Sequence, residues 1–227
     1  MDWSPVLISL KTASAAILVT FVLGLLCARY IAFHRNQKFK TVMDGILTLP
    51  LVLPPTVVGF FLLLIFGVNR PFGHFLLATF GVTIVFHWWG TVIAAVVIAF
   101  PLMYRSARGA LEQVDPNLIF AGRTLGMSEN AIFWKIVTPA AKPGIISGAV
   151  LAFARGLGEF GATIMLAGNI GGLTRTLPIS IYTDVASGNM DRAMGSVLII
   201  CVISFAMVLA LNYYSVLSDP KKGGQPL

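Results

Sequence analysis

Polar residues along this chain gather in short clusters, and the apolar runs between them are long enough to cross a bilayer. A hydrocarbon core takes about 20 apolar residues per helix. Segments of that kind lie at roughly 6–29, 45–68, 82–103, 143–168 and 193–217. The pattern predicts an all-α membrane protein with five transmembrane helices in one domain, 1–217, and a tail, 218–227. A shorter stretch, Phe72 to Phe86, is interrupted by Gly73, His74 and Gly81, which predicts an interfacial or re-entrant piece. The tail sequence DPKKGGQPL, rich in Gly, Pro and Lys, is expected to be disordered.

Composition agrees with this pattern. The 227 residues are 57% hydrophobic and only 11% charged, against about 25% charged in soluble domains. The net charge of +7 would suit nucleic acid only if Lys and Arg shared one folded face, whereas here they sit between apolar runs. Arg29, Arg35, Lys38 and Lys40 follow the first span. Arg105, Arg108, Arg123, Lys135 and Lys142 follow the third, and Lys221 and Lys222 follow the fifth. Basic loops mark the cytoplasmic side, so the N-terminus is expected outside and the C-terminus in the cytoplasm. Trp88 and Trp89 then fall near the outer end of the third span, where an aromatic belt belongs. The run from Val6 to Phe33 exceeds the ~7–15-residue core of a cleaved signal peptide, and Asp2 replaces its basic start.

Candidate chemistry is sparse. Cys27 and Cys201 stand alone in apolar runs, and His34, His74 and His87 form no metal-ligand constellation. The exception is ARGLGEFG, Ala154 to Gly161, which puts Arg155 and Glu159 near the middle of a span. Charge there costs several kcal/mol unless compensated. On a helical wheel of 143–168 the pair lies on one small and polar stripe with Gly144, Gly148, Ala152, Gly156, Ala162 and Thr163. Large apolar side chains such as Phe153, Leu157 and Phe160 lie opposite. At i, i+4 the two charges can neutralise each other. Two roles are open to them: a structural ion pair, or a place beside an anion pathway. GLGEFG also fits G-x-G-x-x-G, but that fingerprint needs a preceding strand and free backbone N–H groups, which a continuous spanning helix lacks.

Pro50, Pro54 and Pro55 interrupt the cytoplasmic half of the second span. They predict a kink, either lining a cavity or serving packing alone. The loop 104–142 is patterned as two short helices. Asp115-Pro116 caps the first, Gly126 ends it, Ser128 caps the second, and Pro139 ends that one. Leu118, Ile119, Leu125, Ile132, Phe133 and Ile136 make them amphipathic, as a partner-docking surface or an interfacial pair would be.

Within this loop the spacing of Ala121, Gly126, Ile136 and Pro139 resembles the EAA motif of ABC importer permeases, E-A-A-x3-G-x9-I-x-L-P. Phe120 stands at the glutamate position, Gly122 at the second alanine and Thr138 at the leucine. LPLVLPPTVVGFFLL and FARGLGEFGATIMLAGN…TRTLPISIYT are similar to the molybdate ABC-transporter permeases, and the resemblance covers most of residues 6–215. Sulfate/thiosulfate permeases share a similar GEFGA block but are generally longer at the N-terminus; tungstate is a close alternative substrate. The resemblance implies a type I importer bundle in a bacterial or archaeal cytoplasmic membrane. It also implies a second copy of the chain, two cytoplasmic ATPase subunits, and a periplasmic or lipid-anchored oxyanion-binding protein. Ala121, Gly122, Arg123, Leu125, Gly126, Ile136 and Pro139 would form the ATPase-coupling loop. Arg155, Glu159, Thr163, Pro54 and Pro55 are candidates for the pathway or gate. No cofactor is expected on this chain, ATP and Mg being used by the partner.

Two other function classes fit less well. An enzyme would need a nucleophile–base pair or metal ligands in the spans, and no G-x4-G-K-[ST] is present for ATP. The second is an anion channel or ion-coupled carrier acting alone, and such a carrier would show acidic relays in several spans and inverted repeats.

Overall fold

A computed structural model describes Asp2–Leu217; the expected disordered tail lies outside the described residues. Helix α1, Ser4–Ala32, starts on Pro5, which lacks only an N–H that the first turn cannot use. It packs along most of its length on α5, Trp88–Glu112. The threonines Thr12 and Thr91 share a hydrogen bond of 2.9 Å between them, and Trp88 Nε1 donates to Thr12 Oγ1 at 3.0 Å. Trp88 is thus tied to protein, with the Lys11 ammonium 4.3 Å from the centre of its ring. Its neighbour Trp89 is the exposed one.

The expected second span, 45–68, is two helices. Helix α2, Gln37–Val52, is capped by Asn36, whose side chain accepts from the Lys38 and Phe39 amides. Helix α3, Pro55–Phe66, leaves it at a bend of 109°. Pro50 sits inside α2, and the break falls at Leu53 and Pro54. A proline N–H is missing at both Pro54 and Pro55, so no continuous ladder can cross that point. Helix α4, Pro71–Phe80, is too short to span and ends on Gly81 in the left-handed region, φ +66°. The expected third span, 82–103, therefore begins late. Residues 81–87 are not helical, and α5 runs on to Glu112.

Two larger corrections concern 104–168. After α6, Pro116–Thr124, comes α7, Glu129–Ile132, and this one does not end at Pro139. A π-turn, Phe133–Val137, carries it into α8, Thr138–Leu157, giving one apolar rod over Glu129–Leu157. A helical proline clashes with the carbonyl four residues back; the wider turn, with the Thr138 amide bonded to the Phe133 carbonyl, moves those carbonyls aside. The polar connection shrinks from 104–142 to 113–128. The second correction is at the other end of the rod. The expected span 143–168 stops at Leu157, and a separate helix α9, Gly161–Ala167, follows a break at Gly158–Phe160. Helix α10, Leu177–Ala186, occupies part of what the pattern left as a loop, and α11 runs Met190–Leu217. Among the described residues four helices are long and apolar enough to cross a membrane, or five if the bent pair α2–α3 counts as one span.

The small ridge of α8 packs on α5. A Cβ on Gly144 would meet Ala110 Cβ at 2.6 Å, and one on Gly148 would meet Ser106 Cβ at 2.5 Å. The helices approach because neither glycine puts a side chain in the way of the small residues on α5. Gly148→Val is accordingly expected to cost about 1–3 kcal/mol through overpacking. A lower midpoint of thermal aggregation in detergent would register it; an unchanged midpoint would mean that the contact yields freely.

Candidate functional site

The two helix breaks lie side by side, because α3 packs on α9. A Cβ on Gly161 would meet Pro55 Cβ at 2.9 Å, and one on Gly59 would meet Ala162 Cα at 2.8 Å. Pro54, Pro55 and Thr163 are therefore brought close to the Glu159 turn. Thr163 is buried in α9.

Glu159 does not lie on the same helix as Arg155, contrary to the wheel. Gly156 and Gly158 favour leaving the helix, and the Gly158 amide closes α8 on the Ala154 carbonyl at 3.2 Å. The pair still forms: Arg155 Nη1 donates to Glu159 Oε2 at 2.8 Å. The other carboxylate oxygen accepts the Ala162 amide at 2.7 Å, satisfying one of the orphan donors at the start of α9. Glu159 is 2% exposed and Arg155 32%, so the acid is sealed in while the guanidinium is only half-buried. Backbone leaves the helical ladder here, and a side chain takes over one of its bonds, as membrane burial demands.

At the opposite end of the rod, Gly122 is buried against Ile132 and Ile136, whose side-chain carbons would lie 3.0 and 2.9 Å from an added Cβ. Asp115 caps α6 through the Asn117 amide at 2.9 Å. Gly126, φ +72°, turns the chain, and its amide bonds the Arg123 carbonyl at 2.9 Å. Leu118, Ala121 and Leu125 lie on the outward side, and Leu125 is 79% exposed. Arg123 grips Glu129 in a bidentate pair at 2.6 and 3.1 Å across the glycine turn, and those bonds raise its pKa above the ordinary arginine value. Pro139 lies further along the rod, apart from the turn. The coupling residues and the break residues thus form two sites, joined by a rod of 29 residues, about 43 Å long.

The sequence reading missed a charged clamp between α2 and α5. Arg108 pairs with Asp44 and with Glu112, Tyr104 donates to Asp44, and Lys40 lies 3.7 Å from Glu112. The i, i+4 spacing of Arg108 and Glu112 was a visible signal; Asp44, about sixty positions away, was not. Among the described residues no group of His, Cys, Asp and Glu could hold a metal ion.

Residues 20–223 match the family described as "Binding-protein-dependent transport system inner membrane component". This chain belongs to that family. The permease is 44% identical to the molybdenum transport system permease protein ModB of Escherichia coli K12 over 208 residues, 92% of this chain and 89% of the relative. ModB of Haemophilus influenzae is 36% identical over 225 residues, covering 99% of this chain and 98% of its own. CysT, a sulfate transport system permease protein of Salmonella typhimurium, is 32% identical over 205 residues, 90% of this chain and 73% of its own. Among solved structures, a chain of the MetNI methionine ABC transporter superposes with a TM-score of 0.73 at 19% identity, over 95% of this chain and 96% of that one. A chain of a bacterial ABC transporter for alginate import superposes at 0.71 with 17% identity, over 95% and 79% respectively. The fold is therefore that of the type I ABC importer permeases, and the permease is a multi-pass membrane transport subunit rather than an enzyme.

Proposed function

We propose that this permease is the membrane-spanning subunit of an ATP-driven molybdate importer in a bacterial or archaeal cytoplasmic membrane. The observation that carries this is the 44% identity to a molybdenum permease along 92% of the chain. Two copies would form the conduit between them. The N-terminus lies outside and the C-terminus inside, as the basic loops require. Leu118, Ala121, Leu125 and the Gly126 turn form the EAA-like surface that docks on a cytoplasmic ATPase, and a separate binding protein delivers the oxyanion from outside.

Rod continuity supplies a mechanism. Force applied at α6 by a closing ATPase dimer passes through the Gly122 contact into α7 and α8, without a hinge at Pro139. It emerges at the Arg155–Glu159 break, beside Pro54 and Pro55. The break is the natural place for motion, since few backbone bonds must change there. Arg155, partly open, can face an oxyanion, while Glu159 balances its charge and holds α9.

The sulfate reading rests on the 32% identity to CysT and is the weaker one. Uptake of radiolabelled molybdate by a strain lacking its own importer decides between them. Expression of the permease with its ATPase and binding protein is expected to restore uptake, with tungstate competing and excess sulfate leaving it unchanged. Sulfate competing as well as tungstate would move the assignment to the sulfate class.

A further inference from the structure

Between the last turns of α1 and the flank of α6 lies a groove of about 580 Å³, lined by Leu26, Arg29, Tyr30, Phe33, Phe120 and Phe133 among others. Leu26, Tyr30, Phe33 and Phe120 are exposed, so the groove is open along its walls, and most of those walls are apolar. Its charges are unequal in kind. Glu129 is already matched by Arg123 in the bidentate pair. Arg29 has no carboxylate partner among the described residues. One of its nitrogens donates to the neutral Asn130 Oδ1 at 2.6 Å, and the guanidinium lies 4.2 Å from the Phe133 ring centre. These contacts hold the cation still without neutralising it, and a guanidinium has five donors to offer. His34 lines the same groove, Arg35 follows on the connection to α2, and Lys38 lies in the first turn of α2.

Position says what fits such a place. Arg29 is in the last turn of a 29-residue apolar helix, which at about 43 Å is longer than a hydrocarbon core of about 30 Å. The groove therefore opens where acyl chains meet headgroups. We propose that it binds one anionic phospholipid, with an acyl chain against Leu26, Phe33 and Phe133 and the phosphate on Arg29. Basic pockets between membrane helices on the cytoplasmic side attract such headgroups. Only the choice of leaflet rests on the orientation proposed above. The groove takes the Ile119, Phe120 and Arg123 flank of α6, whereas Leu118, Ala121 and Leu125 face outward. A lipid and an ATPase can thus hold α6 at once, and the lipid ties the coupling helix to α1.

Native mass spectrometry of the full-length permease tests this, alone and with its ATPase, after purification from equal phosphatidylglycerol and phosphatidylcholine. Retention of phosphatidylglycerol over phosphatidylcholine is expected in both preparations. Arg29→Gln, which keeps a donor for Asn130, is expected to lower that preference about fivefold, the effect of one basic residue near a charged surface; Arg29→Lys should retain most of it. Leu26→Trp, at a half-exposed position, fills the groove and should lower retention of both lipids. Equal retention of the two lipids by the unaltered chain overturns the proposal, as does a preference untouched by both Arg29→Gln and Leu26→Trp. Retention by the chain alone but not by the complex also overturns it, because the groove would then belong to the ATPase. If no ATPase co-purifies, the transport reading fails, while lipid retention by the chain alone still decides the lipid site.

Discussion

Arg155→Ala is expected to lower the stability of the solubilised permease by about 3 kcal/mol, and adding Glu159→Gln is expected to recover most of that loss. Breaking a buried ion pair from one side costs about 3–5 kcal/mol, because the partner is left charged without compensation. The low end applies because Arg155 is 32% exposed and part of its charge is already hydrated. The asymmetry is the sharper part. Glu159, at 2% exposure, cannot rehydrate when Arg155 is removed and keeps only the Ala162 amide. Glutamine in its place still accepts that amide but carries no charge. Thermal aggregation midpoints of the single and double variants measure the difference. A double variant no more stable than Arg155→Ala would mean that the stranded carboxylate is not the source of the cost.

Leu125→Asp is expected to reduce molybdate uptake by at least about tenfold while the permease still reaches the membrane. Leu125 is 79% exposed and shares the outward side of α6 with the exposed Leu118, and a residue buried at the centre of such a docking surface contributes about 2 kcal/mol when it acts as an anchor. A carboxylate there would be desolvated on docking. Gly126→Val should give a similar phenotype by a different route, since φ +72° is a region that β-branched side chains avoid. Co-purification of the ATPase and uptake, measured on the same membranes, separate the outcomes. Normal ATPase association and normal uptake in Leu125→Asp would remove α6 as the coupling surface.

How far the sequence could be read depended on the range of the interaction concerned. Arg155 and Glu159 were visible as a pair because their spacing brings them together with or without a helix break between them. The caps at Asp115 and Ser128 involve neighbours two or three positions away, and the motif spacing from Ala121 to Pro139 is a local pattern. The Pro54–Pro55 break was legible for the same reason, since a proline without an N–H interrupts a helix wherever it falls. The fate of Pro139 was not legible. Whether a proline ends a helix or is absorbed by a π-turn depends on whether burying Phe133 and Val137 in the core around Tyr104 and Ile132 favours continuing the rod. The wheel failed at Glu159 because it presumed an unbroken helix through two glycines.

Apolar run length, loop charge and proline placement are properties of consecutive residues, so the chain alone determined an all-helical membrane protein, its family and the address of its two candidate sites. Tertiary structure decided that the helix breaks meet, through Gly59, Ala162, Pro55 and Gly161. It also decided that one rod connects the α6 turn to Glu159, that Asp44 finds Arg108, and that Arg29 borders an open groove. Each of these joins residues far apart in the chain whose approach depends on the shape of the surfaces between them, and a linear pattern carries no record of that shape.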